Sequence, residues 1–252
     1  MRVVGVTFTF NEERLVPHVM EYWKRLGVDK LLVFDNMSTD RTVELLRQYD
    51  FVEVGTYGTD GHFDEFYLTY LRNNLWKGIY ADYIIVSDFD EVPYCETDFK
   101  EFLSTTNATI IQTHQFNVVR KNLPEFNGEL LHTFPETEFN DMGIRYDKCH
   151  TFSPKSIQEI GYALGMHTIS PDGDVILLQY PEQFYFFHLK YFEDYTIEKA
   201  TQYYDRLPYV IKQGGGINWH IKLLRDDYNN TLNKFVTPRY ESLEELRKNL
   251  KR

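Results

Sequence analysis

The run Tyr83-Ile84-Ile85-Val86, followed at once by Ser87-Asp88-Phe89-Asp90-Glu91, sets the tightest limit on the fold. Four apolar residues with no polar alternation describe a strand covered on both faces, as in a parallel sheet wrapped by helices. The preceding segments agree. Val3 to Phe8 is rich in strand formers. Glu12 to Leu26 puts Leu15, Val16, Val19, Met20, Trp23 and Leu26 on one helical face, with Gly27 at the position that ends a helix. Leu31 to Phe34 is a short buried strand, and Ser38 can cap a helix carrying Val43, Leu46 and Tyr49. Phe51 to Tyr57 is strand-like. Phe63 to Lys77 repeats Phe63, Phe66, Tyr67, Tyr70, Leu71 and Leu75 at helical spacing and stops at Gly78. Alternating strands and helices of this length imply a mostly parallel sheet. Ligands on such sheets bind at the carboxyl ends of the strands. Those ends carry the polar residues here: Thr7 to Glu12, Asp35-Asn36 and Ser87 to Asp90.

The second half is less regular. Thr109 to Thr113, Phe116 to Val119, Val175 to Leu178 and Phe184 to Phe187 read as strands, and Tyr195 to Tyr204 and Ile217 to Leu232 as helices. Pro124 to Asp147 reads as a polar loop, Gly214-Gly215-Gly216 as a hinge, and Leu243 to Arg252 as a terminal packing helix. The 252 residues suit one large α/β domain or two small ones, and we expect a single domain.

A net charge of −11 argues against general nucleic-acid binding, so a phosphorylated ligand must be met by a metal ion or a few placed cations. Cys95 and Cys149 make neither a disulfide framework nor a cysteine zinc site. The absence of a signal peptide and of any apolar run long enough to span a membrane leads us to expect a cytoplasmic protein with no transmembrane segment. Aromatic residues reach 16%, which suits either a Phe- and Tyr-rich core or sugar-stacking platforms.

Three clusters carry chemistry. In an extended segment residues two apart point the same way, so Asp88 and Asp90 can aim at one point. Two such carboxylates repel by a few kcal/mol at an effective dielectric of about 20, and Mn²⁺ or Mg²⁺ removes that penalty while bridging to phosphate. Asp35 ends the second strand, where a carboxylate can accept hydrogen bonds from a base or ribose, while Ser38 and Asp40 cap the next helix. Thr7 to Glu13 follows the first strand and opens a helix, with Asn11 at the capping position.

A first strand leading into Phe10-Asn11-Glu12, then Asp35-Asn36-Met37-Ser38-Thr39-Asp40, then Asp88-Phe89-Asp90-Glu91, resembles the glycosyltransferase family 2 superfamily over about the first 100 residues. The resemblance implies a GT-A fold: a central mostly parallel sheet flanked by helices, with a smaller mixed sheet on the acceptor side. It divides the single domain into a nucleotide-sugar half, 1–113, and an acceptor half, 114–252. It also implies a nucleoside diphosphate sugar donor (uridine by default), a carbohydrate or other hydroxyl acceptor, and inversion at the anomeric carbon. By position, Thr7, Asn11 and Glu12 would line the nucleotide pocket, Asp35 would contact the base, and Asp88 and Asp90 would bind metal and diphosphate.

In the second half, His188 is a candidate third metal ligand and His167 its rival. Asp141 and Asp147 are candidate general bases, with Glu91 either a third or a support for the metal. Arg72, Lys148 and Lys190 are candidate phosphate contacts. A sugar nucleotidyltransferase would need a glycine-rich loop after the first strand, and Thr7 to Glu13 has no glycine. A non-catalytic nucleotide-sugar or carbohydrate-binding module would keep the aromatics without needing the acidic pair.

Overall fold

The strand that the apolar run encodes lies inside a seven-stranded sheet in the computed structural model, which describes residues 1–141, 147–207 and 225–250. The elements in chain order are β1 (Val3–Thr9), α1 (Val16–Leu26), β2 (Lys30–Asp35), α2 (Thr42–Leu46), β3 (Val52–Thr56), α3 (Glu65–Asn74), β4 (Tyr83–Asp88), β5 (Glu91–Cys95) and α4 (Phe99–Thr105). There follow β6 (Ile110–Thr113), β7 (Gln115–Arg120), β8 (Glu138–Asp141), β9 (Lys148–Phe152), β10 (Ile157–Glu159), β11 (Asp172–Gly173), β12 (Leu177–Gln179), β13 (Phe184–Phe192), α5 (Glu193–Arg206), α6 (Tyr228–Phe235) and α7 (Leu243–Asn249).

The large sheet has the order β12-β6-β9-β4-β1-β2-β3. Its β4-β1-β2-β3 portion is parallel, β12 is parallel to β6, and β9 runs antiparallel between β4 and β6. A smaller sheet has the order β5-β13-β7-β8, and β10 pairs with β11. The expected class, a mostly parallel sheet flanked by helices with a second smaller sheet, is the one observed.

Contacts divide the chain into two compact units. The first comprises Met1–Gly58, Glu65–Gln115 and Gly143–Phe187, and the second Thr59–Asp64, Phe116–Met142 and His188–Arg252. Residues past the expected division at 113 thus return to the first unit, because β9 inserts into its sheet. In the first unit, α1 packs on β1 through the fully buried Trp23, and Gly27 ends the helix with a left-handed φ of 77°. The second unit has its own core of Val119, Tyr191, Ala200, Leu207, Tyr228, Leu232 and Val236.

Several expectations are corrected. α1 starts at Val16 rather than Glu12, since Pro17 suits only the first helical turn. Pro124 to Asp147 is not all loop: β8 pairs antiparallel with β7, and its polar Asn140 is buried because Asn117 donates to it at 3.0 Å. α3 is shorter than 63–77 and turns Phe66, Tyr67 and Tyr70 outward, burying Leu68, Leu71 and Arg72 instead. The tail helix α7 buries Leu246. The glycines at 214–216 and most of the helix expected over 217–232 lie outside the described residues. Among the described residues no helix is long and apolar enough to cross a membrane.

Gly5 shows how tightly β1 is packed. A Cβ there would lie 2.6 Å from Leu31 and 2.7 Å from Trp23, both buried. Gly5→Ala should therefore cost about 1–3 kcal/mol in urea unfolding; an unchanged midpoint would show that the helix–sheet contact is slack.

Candidate active site

The parallel register brings three strand ends together: Phe8 of β1 stands opposite Phe34 of β2 on one side and Asp88 of β4 on the other. The loops leaving β1 and β2 are tied by reciprocal hydrogen bonds. Asn11 N–H donates to Ser38 Oγ at 2.8 Å, and Asn11 Oδ1 accepts from Thr39 N–H at 2.7 Å. Glu12 N–H donates to Thr42 Oγ1 at 2.6 Å, and Glu13 N–H donates to Asp40 Oδ2 at 3.1 Å. Asn11 and Met37 take left-handed φ values of 49° and 58°, which non-glycine residues adopt only where the surroundings hold them.

Ser38 is therefore no helix cap. Its hydroxyl donates to Asp35 Oδ1 at 2.5 Å, its N–H donates to Asp35 Oδ2 at 3.0 Å, and Asp35 is 3% exposed. Asp40 lies one residue ahead of Arg41, the N-cap of α2, and accepts from Thr42 N–H at 2.9 Å. Thr7 is fully buried in mid-strand, and Glu12 is buried beside the loop it anchors.

Asp88 closes β4, and Phe89 and Asp90 form the turn into β5, so the extended alternation expected of Asp88 and Asp90 stops at a turn. Burial still alternates through it: Asp88 and Asp90 are partly exposed, Phe89 and Glu91 buried. Arg72, expected at phosphate, has a different task. It is 3% exposed and bridges two carboxylates, with Nη1 donating to Glu65 Oε1 at 2.8 Å and Nη2 to Asp88 Oδ1. Burial opposes the charge on Arg72, and the charges of Asp88 and Glu65 more than offset it, so its pKa rises. Glu65 had no signal beyond its spacing of two helical turns from Arg72.

Below this pair lies a second ionic cluster. The buried Glu91 accepts from Lys148 Nζ at 2.5 Å and from Gln115 Nε2 at 2.8 Å on Oε1, and faces His150 Nε2 at 3.1 Å with Oε2. Lys148 Nζ is also 3.8 Å from Asp88 Oδ2. Burial lowers the His150 pKa against the opposing pull of Glu91; facing a carboxylate oxygen, Nε2 is the donor, and the ring stacks on Phe186 at 3.9 Å. Sequence reasoning named Glu91 and Lys148 but not His150 or Gln115. The available signal was Lys148-Cys149-His150, two polar residues one strand period apart. Glu91, engaged by three donors, anchors this cluster.

Asp147 is 1% exposed, accepting from Gln115 N–H at 3.0 Å and lying 3.3 Å from His114 Nδ1. His167 is exposed, two residues from Gly165, whose N–H donates to Glu65 at 3.2 Å. Asp141, His188 and Lys190 belong to the second unit. Asp141 ends β8 half-exposed, while His188 and Lys190 lie on one side of β13 with His188 Nδ1 3.1 Å from Asn117 Oδ1. Among the described residues no three His, Cys, Asp or Glu side chains form a ready-made metal cage.

Residues 3–206 match the model of glycosyltransferase family 92. The chain belongs to that family. The coarse reading of a glycosyltransferase holds, under family 92 rather than the family 2 that its motifs resemble. No curated protein matches this family 92 chain. Solved structures similar to it include S. aureus TarS 1-349, at TM-score 0.49 and 14% identity over 93% of this chain and 72% of that one. TarS 1-349 in complex with UDP-GlcNAc gives 0.49 and 13% over 94% and 74%. Glucosyl-3-phosphoglycerate synthase from Mycobacterium tuberculosis, in complex with Mn²⁺, UDP and glucosyl-3-phosphoglycerate, gives 0.33 and 17% over 45% and 44%.

The Glu91 cluster makes a sharp stability prediction for this family 92 member. Lys148→Met leaves the buried carboxylate short of its cation and should destabilise by about 3–5 kcal/mol. Lys148→Met with Glu91→Gln should recover most of that loss, as read by chemical denaturation. A single variant as stable as the parent would show that the ion pair is incidental.

Proposed function

We propose that the chain transfers a sugar from a nucleoside diphosphate donor, UDP by default, to a hydroxyl of a carbohydrate acceptor, with inversion. Mn²⁺ or Mg²⁺ would be held by Asp88 and Asp90. Family membership supports the reaction class. One observation carries the site: Asp88 is clamped by Arg72 through Oδ1, while Oδ2 takes part in no hydrogen bond among the described residues and the side chain is 28% exposed. That oxygen sits at a strand end, where ligands of such sheets bind.

The donor set fits a hard divalent cation. Among the described residues the carboxylates of Glu65, Asp88 and Glu91 outnumber the paired cations Arg72 and Lys148, and Asp88 Oδ2 is a hard oxygen donor. When bound, the cation supplies positive charge against the diphosphate. Arg72 fixes the Asp88 rotamer, and Lys148 adds positive charge beneath it. Asp35 keeps one further lone pair on each oxygen after its bonds to Ser38, enough to accept from a nucleoside. Asp141 is the proposed base because it keeps solvent access, which buried Asp147 lacks.

In a thermal-shift assay UDP should raise the melting temperature of the parent with Mn²⁺ present, and Asp88→Asn should abolish that rise. The same variant should lose at least about a hundred-fold in release of sugar from a UDP-sugar. Near-parental shift and turnover in Asp88→Asn would overturn the site. Donor binding without any turnover in the parent would favour a binding module.

Asp141→Asn should lower kcat for donor hydrolysis about a hundred-fold with the UDP shift unchanged. Asp147→Asn should instead lower the melting temperature of the unliganded protein, and the reverse pattern would exchange the two roles.

A further inference from the structure

α3 has two faces of opposite chemistry. Its inner face buries Leu68, Leu71 and Arg72. Its outer face shows Phe66 at 69%, Tyr67 at 39% and Tyr70 at 61% exposure. The Tyr67 and Tyr70 rings are parallel within 9°, with centroids 6.2 Å apart. Clustered exposed aromatics mark a binding surface more often than a stray core residue.

The rings continue inward. Tyr67 lies 6.3 Å from Tyr57, and Tyr57 meets Phe8 edge-on at 6.1 Å. Phe8 stands opposite Asp88 in the sheet, and Arg72 on the same helix grips Asp88. The exposed pair thus continues through ring contacts to Phe8 of β1, the neighbour in the sheet of the strand that ends in Asp88.

Charge selects the occupant. α3 carries one acid, Glu65, and one cation, Arg72, and the two pair with each other. That balance disfavours anionic membranes, nucleic acid and phosphorylated ligands. Flat rings carrying hydroxyls on a helix without net charge suit a neutral ligand with one apolar face and a rim of hydroxyls, which is a pyranose ring.

We propose that Tyr67 and Tyr70 form a stacking platform for a neutral pyranoside, the ring of the acceptor. The acceptor assignment rests on the transfer reaction proposed above, whereas sugar binding by the platform does not. The test is saturation-transfer NMR on the full chain with UDP and Mn²⁺. The probes are methyl β-galactopyranoside, methyl β-glucopyranoside, methyl α-mannopyranoside and methyl N-acetyl-β-glucosaminide. At least one glycoside should receive saturation from the parent. Tyr67→Ala with Tyr70→Ala should weaken its binding by about ten-fold, and Tyr67→Phe with Tyr70→Phe should keep most of it. Because the rings are exposed, the alanine variant should keep the parental melting temperature and the parental UDP shift.

The proposal is overturned if no glycoside receives saturation, or if the alanine variant binds like the parent. It is also overturned if that variant loses the UDP shift, which would put the rings in the donor site. Loss of sedimentation with phosphatidylcholine vesicles, with no glycoside signal, would assign the patch to a membrane instead. A parent with no UDP shift would count against the donor site alone, since the glycoside signal is read independently.

Discussion

Three carboxylates and two cations crowd the tip of β4, and the pairing of the buried cations Arg72 and Lys148 is the condition on which the rest of the first unit depends. Arg72 is withdrawn from water almost completely, and an unpaired guanidinium there would cost several kcal/mol. Glu65 and Asp88 supply its two partners, one from its own helix and one from the sheet. The contact therefore fixes α3 against β4 in one position. Glu91 repeats the logic one layer deeper, with Lys148, His150 and Gln115 as its donors. Asp88 lies where the two sets meet, engaged on one oxygen and within 3.8 Å of Lys148 on the other. A carboxylate held this way loses little freedom on meeting a cation, because its rotamer is already set.

The loops beside it reach the same end without ions. Asn11 and Met37 sit in backbone conformations that cost of order 1 kcal/mol or more each. Donors and acceptors from the opposite loop hold the Asn11 side, with Ser38 central: it accepts from Asn11 and donates to Asp35. The first two acidic motifs are therefore one structural object. A change in Ser38 should be felt at Asp35 and Asn11 together, as members of one hydrogen-bonded network are coupled.

Local signals made most of this unit legible. β1, β2 and β4 announce themselves by strand formers and apolar runs, and Gly27 ends α1 where a left-handed residue is needed. Asp88 and Asp35 follow from their places at strand ends. What stayed hidden depends on partners distant in sequence. β9 enters between β4 and β6 from far along the chain, and nothing local marks Lys148 to Phe152 as its own slot in the sheet. β8 is polar because Asn140 answers Asn117 across a strand pair, so its composition imitates a loop. Arg72 shows the same limit: an arginine near an acidic site reads as a phosphate contact until its two carboxylates are known.

α3 shows why periodicity alone misassigns a face. Phe66, Tyr67 and Tyr70 recur at helical spacing and imitate a core stripe, yet the helix turns them to solvent. The residues that win the inner face are Leu68, Leu71 and Arg72, because Arg72 must reach Asp88. Two leucines bury well, but they do not outweigh three aromatic rings in transfer free energy alone. The direction of the helix is therefore set by the electrostatic requirement at β4, with the leucines as its apolar complement. A helix oriented by an ion pair is free to display rings outward, where a purely hydrophobic docking would have buried them. The acid clamp and the aromatic surface are thus two consequences of one rotation of α3 about its axis.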